Sequence, residues 1–205
     1  GRQSGSAFKV FTLVAALEQR YSLDSRWSGP SSITIDDPRC YTNGEPWELS
    51  NASDSESGVF TLLSATTHSV NTVFAQVASA VSPEAIVDVA GRMGIRSDLE
   101  PVCSITLGTQ SVTPLDMTDA YATLAARGVQ HDATPLLEVV HADGTRDEID
   151  REGERVLQAN DADLATSALE TVITSGTGTN ANIGRQAAGK TGTNQKYRDA
   201  WFCGY

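Results

Sequence analysis

Three short segments of this chain carry side chains that could act on a substrate: Ser6 with Lys9, Ser69 with Asn71, and Lys190-Thr191-Gly192-Thr193. Ser6 and Lys9 lie three positions apart, so on a helix they share a face and the amine can reach the hydroxyl. A serine hydroxyl becomes a useful nucleophile only when a base removes its proton. Lysine can be that base if its pKa falls, which burial against Phe8 and Phe11 or a nearby Lys190 would promote. A helix N-terminus at Ser6 adds a favourable field for developing negative charge. Ser69 could pass a proton to a departing amine, and the Asn71 amide could hold a substrate carbonyl. Lys190, Thr191 and Thr193 could hold a carboxylate. The backbone N–H groups of Thr193 and Ser6 could form a two-donor hole for an oxyanion. Gly192 inside a strand pattern suggests close approach of a ligand to the backbone.

Each segment alone has an ordinary reading. Ser6 could simply cap a helix whose lysine is solvated, Ser69 and Asn71 could cap a helix starting near Val70, and the last segment could be a plain strand. Their order, with 63 residues from Ser6 to Ser69 and 119 from Asn71 to Lys190, selects the chemical reading. Together they hold every group that acyl transfer through a serine requires.

The elements that must position them can be read from the apolar pattern. From Ser6 to about Gln19 the chain is apolar on nearly all faces, which predicts a buried core helix. Residues 21 to 58 are rich in Ser, Asp, Gly, Pro and Asn, and read as a long irregular excursion with a β-like run at Ile33-Thr34-Ile35. Helical pattern covers Val59 to Ala65, Val70 to Val81 and Pro83 to Met93. Ser104 to Leu107 reads as a short strand or extended link. Thr113-Pro114 opens a helix that runs to Arg127 with Gly128 as its C-cap. Leu136 to Ile149 reads as an exposed hairpin, with a solvated acidic edge from Arg146 to Asp150. Asp161 to Ser175 predicts an amphipathic helix. Gln186 to Thr193 and Asp199 to Tyr205 read as strands joined by the polar turn Asn194-Gln195-Lys196-Tyr197.

Composition bounds the class. The 205 residues suit one domain, and 40% hydrophobic with 20% charged residues is a globular balance. A formal net charge of −11 would repel a polyanion, which excludes a nucleic-acid partner. Of the three lysines (Lys9, Lys190 and Lys196), two fall inside the reactive segments. No apolar run is long enough to span a bilayer, and the chain reads as cut at both ends. The three cysteines (Cys40, Cys103 and Cys203) are widely spaced without a C-x-x-C pair, which argues against a zinc or redox site. Buried free thiols are the expectation; should one bond form, it joins Cys40 to Cys103. His68, His131 and His141 form no Ser-His-Asp pattern, and His68 reads as a partly exposed residue at a helix entry. Ser175-Gly176-Thr177-Gly178 lacks the G-K-[ST] of a phosphate loop and reads as a flexible lead into the last strands.

The text around these residues resembles a known family. Ser4-Gly5-Ser6-Ala7-Phe8-Lys9, Ser69-Val70-Asn71-Thr72-Val73-Phe74-Ala75, Thr113-Pro114-Leu115-Asp116-Met117, Ala120-Tyr121-Ala122-Thr123, Ser175-Gly176-Thr177-Gly178-Thr179 and Gly189-Lys190-Thr191-Gly192-Thr193 through Asp199-Ala200-Trp201-Phe202 are similar to the transpeptidase domain of bifunctional, class A penicillin-binding proteins. These belong to the penicillin-recognising serine acyltransferases, with the serine β-lactamases. The likeness covers almost the whole chain. It departs at Ser4, where proline is usual, a change expected to be harmless, and at Cys203, where an aliphatic residue is usual.

The resemblance implies an α/β (α+β) fold of the β-lactamase/transpeptidase type, a helical subdomain packed on an antiparallel sheet. Residues 1–205 would form the partial core of one such domain, without its outer strands. Ser6 would be the acylated nucleophile, Lys9 its general base and Ser69 a proton relay. Asn71 would bind the acyl side-chain amide. Lys190, Thr191 and Thr193 would recognise a terminal carboxylate, with Gly192 keeping the strand clear. Substrates would be peptidoglycan stem peptides ending in D-Ala-D-Ala, and β-lactams would acylate Ser6 as mimics. No cofactor or metal is implied. The site of action would be the cell-wall side of the bacterial plasma membrane, held by an anchor absent from this chain. A β-lactamase of class A would need a glutamate with an asparagine four residues on, yet Glu100 is followed by Pro101-Val102-Cys103-Ser104. A class D β-lactamase would carry an apolar residue where Asn71 stands. A penicillin-sensing domain needs the same Ser6 and Lys9, so it stays open.

Overall fold

The apolar stretch at the front of the chain becomes the helix around which the rest packs. The computed structural model describes residues 1–53, 57–149, 152–194 and 198–205. A short strand β1 (Arg2–Gln3) leads into a 3-10 turn, Gly5–Phe8, which continues as α1 (Lys9–Glu18). Every residue from Lys9 to Leu17 is buried, as a helix without a polar face must be. The expected single helix from Ser6 thus starts as a tighter turn. Arg20 ends it in the left-handed region, with Tyr21 N–H donating to Ala16 O at 2.9 Å.

The stretch expected to be irregular is two nested antiparallel ribbons. Its strands are β2 (Arg26–Gly29), β3 (Ser32–Ile35), β4 (Trp47–Ser50) and β5 (Gly58–Thr61), with β2 paired to β5 and β3 to β4. Ile35 faces Trp47 across β3–β4, and both pack with Cys40, Ala75 and Cys103 in a small second core. There Cys40 and Cys103 are joined in a disulfide, against the expectation of free thiols, while Cys203 is unbonded.

Because Gly58–Thr61 is held as strand, α2 (Leu62–His68) begins three residues later than the pattern suggests, capped by Thr61 Oγ1 accepting from Ser64 N–H at 3.0 Å. His68 is exposed at the end of this helix, not at its entry. Then follow α3 (Asn71–Val81) and α4 (Pro83–Arg92), the latter capped by Ser82. Ser104 to Leu107, expected as a short strand or extended link, lies in a 3-10 turn, Cys103–Leu107, closed by Gly108 at φ 65. Next come β6 (Ser111–Val112), paired with β1, and α5 (Pro114–Ala125), opened by a Thr113/Asp116 capping box. Arg127, not Gly128, takes the first left-handed position after α5; Gly128 N–H follows by donating to Thr123 O at 2.8 Å.

Strands β7 (Val129–Gln130), β8 (Glu138–Val140), β9 (Arg146–Glu148) and β10 (Glu154–Arg155) make two further pairs, β7 with β10 and β8 with β9. The β8–β9 pair is the exposed hairpin expected there; Asp150 lies outside the described residues. Helix α6 (Ala159–Ser175) precedes β11 (Gly189–Thr193) and β12 (Ala200–Gly204), an antiparallel pair. Of the turn read between them, Gln195, Lys196 and Tyr197 lie outside the described residues. Helix α1 packs against α3, α4 and α6, and β11 packs against both α6 and the Gly5–Phe8 turn. Among the described residues, no single helix is long and apolar enough to cross a membrane.

Candidate active site

Three backbones converge at Ser6, and they meet because three residues lack side chains. A Cβ on Gly5, which sits at φ +56, would lie 2.6 Å from Thr193 O; one on Gly192 would lie 2.1 Å from Ser4 O. One on Gly108 would lie 2.2 Å from Gly5 O. Real Cβ atoms do not approach so closely, so the Ser6 turn, strand β11 and the Gly108 bend share a contact open only to glycine. This corrects the reading of Gly192. Its bare face meets the turn that carries Ser6, not a ligand. Tyr121 reaches in from α5, its Oη donating to Ala7 O at 3.0 Å, and anchors the far end of the same turn.

Ser69 sits at the left-handed C-terminal position of α2, at φ 61. A non-glycine residue there costs about 1 kcal/mol or more, held by the surrounding structure. Val70 is extended and α3 starts at Asn71, with no side-chain cap from Val70. Ser69 and Asn71 therefore do not cap this helix, the ordinary role open to them. Both turn toward Lys9 instead.

The Lys9 side-chain nitrogen is buried among four oxygens. Its Nζ lies 2.6 Å from Ser69 O, 2.6 Å from Asn71 Oδ1, 3.1 Å from Ser6 Oγ and 3.1 Å from Ser69 Oγ. It also lies 5.5 Å from the centre of the Phe74 ring. The two short partners can only accept, whereas the two hydroxyls can accept or donate. A neutral amine donates to the first two and accepts a hydrogen bond from a hydroxyl with its lone pair; an ammonium donates to three. The cage accommodates both states, which a group that gains and returns a proton requires. Asn71 is itself held, its Nδ2 donating to Ser50 O at 3.1 Å.

Lys190 and Gly192 lie on one face of β11, alternating with Thr191 and Thr193. Lys190 is buried, with Nζ donating to Ser69 Oγ at 2.8 Å and to Thr191 O at 3.3 Å. Burial pushes its pKa down from 10.5 to about 7. Ser69 Oγ thus lies between two lysines. Thr191 Oγ1 pairs with Thr177 Oγ1 at 2.6 Å, and Thr177 N–H donates to Thr67 O at 3.3 Å. The lead into β11 is therefore packed on α2 rather than loose.

A cleft of about 510 Å³ opens beside this cluster, lined by Ser6, Asn71 and Thr193 with Trp47 and Ser104. Lys9, Ser69 and Lys190 stand behind that wall, and Gly192 is buried against the turn. Among the described residues, Glu48 on β4 is the only carboxylate lining the cleft. No cluster of three or more His, Cys, Asp or Glu suited to a metal occurs among them either. Sequence reasoning missed Tyr121, Ser50 and Thr177 as supports. Each acts through a tertiary contact; the segments around Tyr121 and Thr177 carry the family resemblance but do not show what those side chains touch.

A helical body holding a cleft-lining serine and a buried lysine against a Lys-Thr-Gly-Thr strand defines the class of penicillin-recognising serine acyltransferases. Residues 2–205 match the penicillin binding protein transpeptidase domain family, and the chain belongs to it. It is 32% identical to penicillin-binding protein 1A of Aquifex aeolicus (strain VF5), over 100% of this chain and 28% of that protein. It is also 32% identical to penicillin-binding protein 1A of Mycobacterium tuberculosis (strain ATCC 25618 / H37Rv), over 100% of this chain and 27% of that protein. In structure it is similar to the PonA1 protein from Mycobacterium tuberculosis in complex with penicillin V, with TM-score 0.83, 31% identity and coverage of 100% of this chain and 57% of that one. The chain spans about a quarter of the length of these curated relatives.

Proposed function

We propose that residues 1–205 form the core of a D,D-transpeptidase domain that cross-links peptidoglycan stem peptides through a Ser6 acyl-enzyme and is inhibited by β-lactams. It would act on the cell-wall side of the plasma membrane. One observation carries the reading: Lys9 Nζ lies 3.1 Å from Ser6 Oγ while acceptors on Ser69 and Asn71 hold it there.

In this reading Ser6 Oγ attacks the carbonyl carbon of the penultimate D-Ala and its proton moves to Lys9 Nζ. The backbone N–H groups of Ser6 and Thr193 receive the oxyanion. Gly5 bridges them, since its missing Cβ would touch Thr193 N at 2.8 Å. The C–N bond to the terminal D-Ala then breaks. Its nitrogen takes a proton through Ser69, whose Oγ touches both Lys9 and Lys190. Free D-Ala leaves, and the acyl group stays on Ser6 as an ester. An amine from a neighbouring stem peptide attacks that ester and gives up a proton to Lys9. The C–Oγ bond breaks, and Ser6 recovers its hydrogen. Thr193 in the cleft wall, with Thr191 and the Lys190 charge behind it, receives the terminal carboxylate, and Asn71 the acyl side-chain amide. A carboxylate bound there would raise the Lys190 pKa and hold the ammonium form.

The β-lactam ring opens on Ser6 without losing atoms, so intact-mass analysis reads the first half-reaction directly. The expected result is one added β-lactam mass on the wild type and none on Ser6→Ala. Stem peptides with an acceptor amine should then yield cross-linked dimer. A stable adduct without dimer would replace this reading with a penicillin-sensing domain, and rapid loss of the adduct with a β-lactamase.

A further inference from the structure

Helix α3 carries Asn71 in its first turn, yet its own cap residue, Val70, supplies no side-chain hydrogen bond. The first N–H groups of a helix need partners from elsewhere. Thr72 N–H finds one 21 residues earlier in the chain: it donates to Asn51 Oδ1 at 3.0 Å. Asn51 is buried and fixed on its other sides. Its Nδ2 donates to Pro30 O at 3.1 Å, and its backbone N–H to Ser31 O at 2.9 Å. The residue before it, Ser50, offers the carbonyl that accepts from Asn71 Nδ2 at 3.1 Å. Ser50, the last residue of β4, and Asn51 just after it therefore grip two consecutive residues at the start of α3.

We infer that Asn51 is a positioning residue for the acylation site: it caps α3 from another element and so sets which way the Asn71 amide faces. With Asn71 Nδ2 drawn to Ser50 O, its Oδ1 must point at Lys9 Nζ, 2.6 Å away. If α3 slides or the amide turns over, an N–H faces the Lys9 amine and one of its two short acceptors is lost. The inference rests on the reading of Ser6 as nucleophile and Lys9 as its base.

The test compares Asn51→Leu and Asn51→Asp in the whole chain, with fluorescent penicillin as the probe. Three quantities are read: the thermal midpoint, the labelling end point that counts competent sites, and the second-order acylation rate per competent site. Asn51→Leu keeps the volume but offers Thr72 nothing, and should slow acylation per site about tenfold or more, since a displacement near 1 Å at a reacting group is worth up to about 10² in rate. Asn51→Asp keeps the acceptor for Thr72 N–H at a helix N-terminus but gives up the donor to Pro30 O, so its midpoint should fall while its acylation rate per site stays within about threefold of wild type. A purely structural Asn51 would lower the midpoint or the end point of N51L and leave its rate per site at the wild-type value; that result overturns the inference. Should N51L not fold, Asn51→Ala, which also removes the acceptor for Thr72 N–H, takes its place: a rate per site about tenfold below wild type carries the inference and an unchanged rate per site overturns it. A wild-type chain that takes no label would overturn the functional reading itself, and this inference with it.

Discussion

Replacing Gly192 with alanine adds one methyl group, and the structure says where it must go. The new Cβ would sit 2.1 Å from Ser4 O, 3.0 Å from Ala7 N and 3.1 Å from Ala7 Cβ. Ordinary contact begins at 3.4 Å, so the gap to Ser4 must open by about 1.3 Å. Strand β11 is held by its pairing of Gly192 with Trp201, and no positive φ at Gly192 adds backbone strain. The turn carrying Ser6 is what has to yield. Moving a nucleophile by about 1 Å costs on the order of 10² in rate, equivalent to about 2.7 kcal/mol of barrier. Overpacking should also lower stability by roughly 1–3 kcal/mol. Acylation by a fluorescent penicillin, normalised to folded protein, measures the first effect, and denaturant unfolding the second. Gly91→Ala is the control: a Cβ there, in the last turn of α4, meets nothing within 4 Å. It should gain at most about 0.5 kcal/mol from helix propensity so near the helix end and leave acylation unchanged. Near-wild-type acylation and stability in G192A would refute the reasoning, because strand and turn could not then touch as described.

Two further outcomes follow from buried groups. The folded chain releases the Lys190 proton near pH 7 and the unfolded chain near 10.5, so between these values the unfolded state binds more protons and stability climbs as pH rises. Compared at about pH 7.5 and pH 9, the gain in unfolding free energy should be about 1–2 kcal/mol larger for wild type than for Lys190→Met; equal gains would mean that the buried lysine keeps its charge. Ser4, expected to be harmless, is buried with an Oγ that finds no hydrogen-bond partner among the described groups. Its φ of −78 suits proline, so Ser4→Pro should add about 1 kcal/mol of stability in a denaturant titration, and a loss would show that its N–H is needed.

Much of the helical body was legible because burial leaves a mark on composition. Helix α1 has no polar residue apart from Lys9, Thr12 and the terminal Glu18, and only a core position accepts such a segment. Pro114 and Pro83, each behind a hydroxyl residue, announced the starts of α5 and α4. The nested ribbons were not legible. Arg26 pairs with Thr61 and Ser32 with Ser50, so each strand finds its partner across a turn-rich intervening stretch, and no local pattern reports that pairing. The same blindness favoured free thiols, although the pair named should a bond form, Cys40 with Cys103, is the one that is joined across 63 residues, and it hid the short turn at Cys103–Leu107.

By itself the sequence determined the chemistry: a hydroxyl three positions from an amine, a second hydroxyl beside an amide, and a cationic strand interrupted by glycine. Only the tertiary structure decided what each polar atom does. It spent Gly192 on the Ser6 turn, put Ser69 between two lysines 60 and 121 residues away, and gave the cap of α3 to Asn51. The reason is range. A hydrogen bond acts only within about 3.5 Å, and distances between residues far apart in the chain exist only once it has folded.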